Sequence, residues 1–144
     1  MLLLSTLLLS CSKKDDATPA STTGTCSYQL DGRTVSGYAR VTTANLTTGS
    51  STTNLLYFLL SDTQQHQTNS QEVQLTFQKD SSQPTSAYLL TQITYNNSTQ
   101  PAVIYANNVT TLKETSTGVF AGTFSGTATS GSKITAGTFA DARL

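Results

Sequence analysis

The stretch Cys26-Ser27-Tyr28-Gln29-Leu30-Asp31-Gly32, with Val35, Gly37, Ala39 and Val41 after it, decides the fold class. Cys26, Tyr28 and Leu30 alternate with Ser27, Gln29 and Asp31. That period of two belongs to a strand with one face buried. Asp31-Gly32 is a two-residue hairpin signal, because the favoured turn needs positive φ at both central positions and Asp and Gly accept it. The returning strand then carries Val35, Gly37, Ala39 and Val41 on one face and Tyr38 and Arg40 on the other.

Downstream the alternation recurs. Val73, Leu75 and Phe77 alternate with Gln74, Thr76 and Gln78, and Pro84 marks the turn that follows. Tyr88 to Tyr95 reads as a strand, and the turn that begins at Asn96-Asn97 closes at Pro101. Val103 to Tyr105 reads as a short strand, Asn107-Asn108 as a turn, and Val109 to Glu114 as the approach to Thr117-Gly118. Phe120 and Phe124, four apart, fall on one face of a strand. Gly131 marks a turn, and Gly137 a bulge in the closing segment Ile134 to Leu144. Residues 44–53 and 62–70 are polar and read as loops. Leu55 to Leu60 is a continuous apolar run, too short for a helix and expected as a strand buried on both faces. No segment has helical periodicity. The expected fold is all-β, a single antiparallel β-sandwich or partly open barrel of about 8–9 short strands.

Composition narrows the partners. Charged residues are 11% of the chain and the net charge is zero. Arg33, Arg40, Lys79, Lys113, Lys133 and Arg143 are scattered among Asp31, Asp62, Glu72, Asp80, Glu114 and Asp141. Nucleic-acid binding needs clustered Lys and Arg, so that class of partner is set aside. Ser and Thr make up about a third of the chain. Thr is β-branched and suits the solvated face of a strand, where it takes the place of Lys and Glu.

Residues 1–25 read as an address. Leu2 to Leu9 is apolar except for Ser5 and Thr6. It is shorter than the roughly 20 residues that span a bilayer and suits the apolar core of a signal peptide, roughly 7–15 residues. Leu8, Leu9, Ser10 and Cys11 resemble the bacterial lipobox, in which cleavage before the Cys leaves a lipidated N-terminus. The resemblance implies lipidation at Cys11, with signal peptide 1–10 and Cys11 heading a tether over 11–25. One acyl chain holds a membrane only marginally, at about 0.8 kcal/mol per buried CH₂, and several hold it stably. Ser12 and the run Lys13-Lys14-Asp15-Asp16 resemble the signals that send Bacteroidota lipoproteins to the outer membrane and its outer face. The tether has no large apolar side chain, cannot offset its chain entropy by burial, and is expected to be disordered. The folded domain is expected over 26–144. With Cys11 occupied by lipid, Cys26 is left as a small hydrophobe with no cationic sequence neighbour to lower its pKa. Otherwise a Cys11–Cys26 disulfide stays open in an oxidising compartment.

Gly122-Thr123-Phe124-Ser125-Gly126, followed by Ile134-Thr135-Ala136-Gly137-Thr138-Phe139-Ala140, resembles the C-terminal strand pair of small Bacteroidota surface lipoproteins. The early Asp31-Gly32 hairpin fits the same family, whose fold and location are implied without a mechanism.

Candidate chemistry is sparse. His66 is the single histidine, in the polar segment Gln64-Gln65-His66-Gln67. One His and one spare Cys do not make a zinc ligand set. No Ser lies in a nucleophile elbow, and no Gly-rich phosphate loop opens a helix. Asp31, Asp62 and Asp141 occur singly, so an acid–base pair would have to be assembled by the fold. Asn45, Asn97 and Asn108 match the N-glycosylation pattern, which arises readily by chance in a Thr-rich chain. Tyr28, Tyr38, Tyr57, Tyr88, Tyr95 and Tyr105 would stack on sugars if several were exposed, and otherwise pack the core or its rim. The expected protein has no catalytic residues, metal or cofactor. It is a membrane-anchored surface lipoprotein with an interaction or envelope-structural role, or alternatively a carbohydrate-binding module assisting glycan uptake.

Overall fold

The computed structural model describes residues 23–64 and 70–144. The expected signal peptide, Cys11, most of the tether, and His66 lie outside the described residues. Among the described residues the fold is all-β, with eight antiparallel strands in sequence order and the first paired to the last, which closes the sheet into a barrel. The strands are β1 (Gly24–Leu30), β2 (Arg33–Thr48), β3 (Ser51–Ser61), β4 (Gln71–Asp80), β5 (Leu89–Asn97), β6 (Gln100–Ser116), β7 (Val119–Ala128) and β8 (Lys133–Arg143). One short 3-10 turn, Thr85–Ala87, follows Pro84.

The antiparallel expectation holds. Of the two architectures left open, the barrel is seen, and it is closed rather than partly open. The strands are also longer than expected, because polar Thr-rich segments pair as well as apolar ones. Residues 44–53 form a hairpin tip instead of a loop, with Thr47 opposite Thr52 and Gly49 in the turn. Residues 100–116 form one strand instead of two, bent by a bulge where Asn107 has a φ of 48°. β1 begins at Gly24, two residues before the expected domain start, and Gly24 pairs with Ala39. At the first hairpin Asp31 and Gly32 have φ of 50° and 83°, as the two-residue turn requires.

The inward face is apolar. Tyr28, Leu30, Val35, Val41, Leu56, Leu60, Val73, Leu75, Phe77, Ile93, Phe120, Phe124, Ile134 and Phe139 are buried around Phe58. The Phe58 ring lies 4.6, 5.6 and 5.7 Å from those of Phe139, Phe77 and Phe120. An eight-stranded barrel is just wide enough for side chains to fill it. β7 and β8 solve the resulting volume problem with reciprocal pairs: Gly122 sits opposite Phe139 and Phe124 opposite Gly137. A Cβ on Gly122 would stand 2.6 Å from the Phe139 ring, and one on Gly137 would stand 2.7 Å from the Phe124 ring. Each glycine makes room for the ring across the strand pair. This accounts for the Gly-x-Phe spacing, and the positive-φ residue beside it is Ala136, not Gly137.

The outward face is mixed: Leu46, Leu89, Ile104 and Val109 are exposed on it, and hydroxyl residues fill much of the rest. Thr111, Thr123, Thr138, Ser27 and Ser36 stand in register across β6, β7, β8, β1 and β2. Thr111 and Thr123 share a 2.9 Å hydroxyl hydrogen bond. A membrane-spanning barrel has the opposite polarity, with an apolar band on its outer wall. The stretch of wall from β6 round to β2 carries this row of hydroxyls instead.

Leu55 to Leu60 departs from the both-faces expectation. Leu56, Phe58 and Leu60 are buried, whereas Leu55, Tyr57 and Leu59 are half-buried on the outer wall. A single-layer barrel has only one inside, so a continuous apolar run must leave every second residue outward. Phe58→Ala should therefore cost about 3–5 kcal/mol, and Leu59→Ala about 1 kcal/mol or less. Urea unfolding of the two variants checks this; equal losses would mean that the outer wall is covered.

Candidate functional site

An up-and-down barrel has two rims. The turns at 31–32, 98–99 and 129–132, the end of β3 and the start of β4 share one of them, called here the mouth. The opposite rim carries the start of β1 and the end of β8.

Polar side chains concentrate at the mouth. The Asp31 carboxylate accepts hydrogen bonds from the Ser132 hydroxyl at 2.9 Å and the Lys133 N–H at 2.7 Å. The Asp31 N–H donates to the Lys133 carbonyl at 2.9 Å. These bonds clamp the first hairpin turn to the last one. The Tyr105 and Ser132 hydroxyls are 3.0 Å apart, which extends the clamp to β6. On the other side the Arg33 guanidinium donates to the Gln71 side-chain carbonyl, and the Gln71 N–H donates to the Asp62 carboxylate at 3.3 Å.

Beneath this rim three tyrosines point inwards from β1, β5 and β6, because Tyr28, Tyr95 and Tyr105 pair with the core positions Val35, Val73 and Ile93. Burial raises the pKa of all three phenols. Tyr28 is shifted furthest, by desolvation first and then by the charges of Cys26, Tyr95 and Asp62, with Arg33 opposing. For Tyr105 a Ser132 hydrogen bond opposes the rise, and for Tyr95 an Asn97 hydrogen bond does so. Tyr28 is 1% exposed, and its hydroxyl has no hydrogen-bond partner. A buried hydroxyl left unsatisfied costs about 1–3 kcal/mol. Folded proteins rarely retain one without a reason.

The sequence candidates divide accordingly. Asp31 and Asp62 come to the mouth, but hairpin closure consumes the Asp31 carboxylate. Asp141 lies towards the opposite rim at a positive φ of 54°. Asn97 caps its turn, its side-chain oxygen accepting from the Thr99 N–H at 3.2 Å. Asn108 donates to the Tyr105 carbonyl at 3.0 Å inside the β6 bulge. Among the described residues the ring pairs are buried ones, Tyr28–Phe124 and those around Phe58, so no tyrosine pair forms a stacking platform on the wall. No group of three or more His, Cys, Asp and Glu that could hold a metal is present among the described residues. The mouth itself was missed by sequence reasoning. Its members come from strands and turns far apart in sequence, and a lone Arg33 or Gln71 carries no signal.

Two surface features lie elsewhere. β5 and β6 pair only between Ile93–Asn97 and Gln100–Tyr105, so the wall has a seam where residues 89–92 leave β6. A depression of about 300 Å³ beside it is lined by Thr85, Ser86, Leu112, Lys113 and Glu114. Glu114 is engaged there, accepting the Gly118 N–H at 2.8 Å.

Cys26 faces inwards, and its thiol contacts the Tyr38 carbonyl at 3.3 Å. Burial, against backbone hydrogen bonds from Ser61 and Gly37, pushes the thiol up from its ordinary 9.0 to about 11. The raised folded pKa means the unfolded chain loses its proton first. The Cys26 contribution is therefore fully present below pH 9.0 and is lost as pH rises towards about 11. Urea unfolding across that window should show wild type losing more stability than Cys26→Ala; parallel losses would contradict a buried thiol.

Compared with protein-family models, curated proteins and solved structures, the chain matches none.

Proposed function

We propose that this protein is a non-catalytic surface lipoprotein of the Bacteroidota kind, anchored to the outer membrane through lipid on Cys11 and presenting the barrel mouth outwards. The reading assigns it an interaction role and no reaction. The observation that carries it is the polarity of the barrel. β1 begins at the rim opposite the mouth, so a tether from Cys11 enters on the far side from the polar ring. The row of Thr and Ser hydroxyls from β6 round to β2 supports the same reading, because that part of the wall suits water.

A carbohydrate-binding role is the second reading, favoured by the mixture of phenols, one guanidinium and carboxylates at the mouth.

Replacing Cys11 with Ala should shift the protein from the outer-membrane fraction to the soluble fraction while its melting temperature stays unchanged. Retention of Cys11→Ala in the membrane fraction would sink the anchor reading.

A further inference from the structure

We propose that the barrel docks on a zwitterionic lipid surface through the outer face of its β2–β3 hairpin, with Leu46, Leu55 and Leu89 as the apolar contacts. The choice of lipid as occupant rests on the anchor reading above, whereas the surface itself stands on the fold.

The first observation is a gap in charge. Between Arg40 and Asp62 the chain carries no Asp, Glu, Lys or Arg. That stretch is the hairpin, with Tyr38 opposite Ser61 at its base and Thr48 opposite Ser51 at its tip. Past Ala39, which pairs with Gly24, β2 has only β3 as a ladder partner among the described residues. The tip therefore stands clear of β1. It can leave bulk water without desolvating a charge, which is the costliest part of entering a lipid interface.

The second observation is where the apolar side chains fall. Leu46 pairs with Thr53 and Ala44 with Leu55, so Leu46 and Leu55 are diagonal neighbours on one face. The row continues from Leu55 through Gln78 to Leu89 on β5. Leu46 is 57% exposed and Leu89 71%, and Leu55 is half-buried. On the far side of the barrel the outward row holds Thr123 and Thr138 instead. Exposed apolar groups gathered on one face mark a contact surface. A depression of about 320 Å³ at Leu89 is bordered by Lys79 and Asp80. Their opposite signs give the face no net charge with which to select an anionic lipid, and a zwitterionic headgroup matches both.

The third observation is direction. The β2–β3 turn and the start of β1 share the rim opposite the mouth. The chain from Cys11 enters the barrel at that rim, so a lipidated Cys11 brings the leucine face towards the bilayer. Anchoring makes a weak second contact intramolecular and effective, and stable membrane attachment draws on two signals. A second copy meeting through the same face is the competing occupant.

The chain has no Trp, so a single introduced Trp reports its own surroundings. Leu46→Trp, Leu89→Trp and Val109→Trp are made in the lipidated full chain and again with Cys11→Ala, and each is mixed with phosphatidylcholine vesicles. Emission from Leu46→Trp and Leu89→Trp should shift to the blue and be quenched by brominated acyl chains, whereas Val109→Trp, on β6, should keep the emission of a Trp in water. In the Cys11→Ala chain, Leu46→Asn combined with Leu89→Asn should lower vesicle partitioning about tenfold or more and leave the melting temperature unchanged. Unaltered emission from Leu46→Trp on vesicle-bound protein would overturn the docking face and leave the anchor standing. Should fractionation show no anchor, the Cys11→Ala chain reads the face alone, and quenching at positions 46 and 89 upholds it while its absence overturns it. Equal quenching at position 109 would mean contact without a preferred face, and binding that requires phosphatidylglycerol would overturn the zwitterionic class. Dimerisation abolished by Leu46→Asn, with no quenching by lipid, would give the face to a second copy and overturn the proposal.

Discussion

Everything in this barrel depends on the pairing of β1 with β8. A twisted sheet with an apolar inner face has two unpaired edges and nothing to cover that face. Joining Thr25 to Ala140 and Cys26 to Phe139 removes both problems at once. The edges vanish, and the inner face becomes its own core. The cost is a fixed internal volume. With large rings crowding around Phe58, space has to be found on the backbone, and Gly122 and Gly137 supply it opposite Phe139 and Phe124. These glycines are therefore packing residues, set by the size of the rings that cross above them.

Closure also sorts the strand ends into two rims with different characters. The mouth is tied by side-chain and backbone hydrogen bonds between turns far apart in sequence, such as Asp31 with Ser132 and Lys133. The opposite rim receives the start of the folded chain and holds the seam between β5 and β6. Three phenols are drawn under the mouth because a tyrosine near a barrel end can bury its ring and still direct its hydroxyl towards polar company. Two of the three find a partner and Tyr28 does not. That imbalance separates the mouth from an ordinary solvated rim.

The outer wall explains the composition. A water-facing β surface needs polar side chains that tolerate extended backbone, and the rows of Thr and Ser from β6 round to β2 meet that need with hydroxyls that bond to one another and to neighbouring strands. Scarcity of charge follows, and with it a surface with no basic stripe for nucleic acid. It also accounts for strands that run beyond their apolar segments, as at Thr47 and Thr52, where cross-strand hydroxyl contacts replace burial.

Local structure was legible in the sequence wherever side-chain phase was clean. Cys26, Tyr28 and Leu30 face inwards, as do Val73, Leu75 and Phe77, and Asp31-Gly32 turns the chain, because period two and positive φ are properties of neighbouring residues. Leu55 to Leu60 was not legible, because an unbroken apolar run carries no phase and only the curvature of a one-layer wall decides which residues turn out. Sandwich and barrel share the same alternation, so the choice between them lay in a contact between Thr25 and Ala140, 115 positions apart, that no local pattern records. The sequence by itself determined the all-β class, the inward phase of the alternating strands and the first turn. The tertiary structure alone decided closure, the reciprocal Gly–Phe packing and the gathering of Tyr28, Arg33 and Asp62 at one rim. Each of these depends on which distant strands meet, and that is settled by the shared volume they enclose.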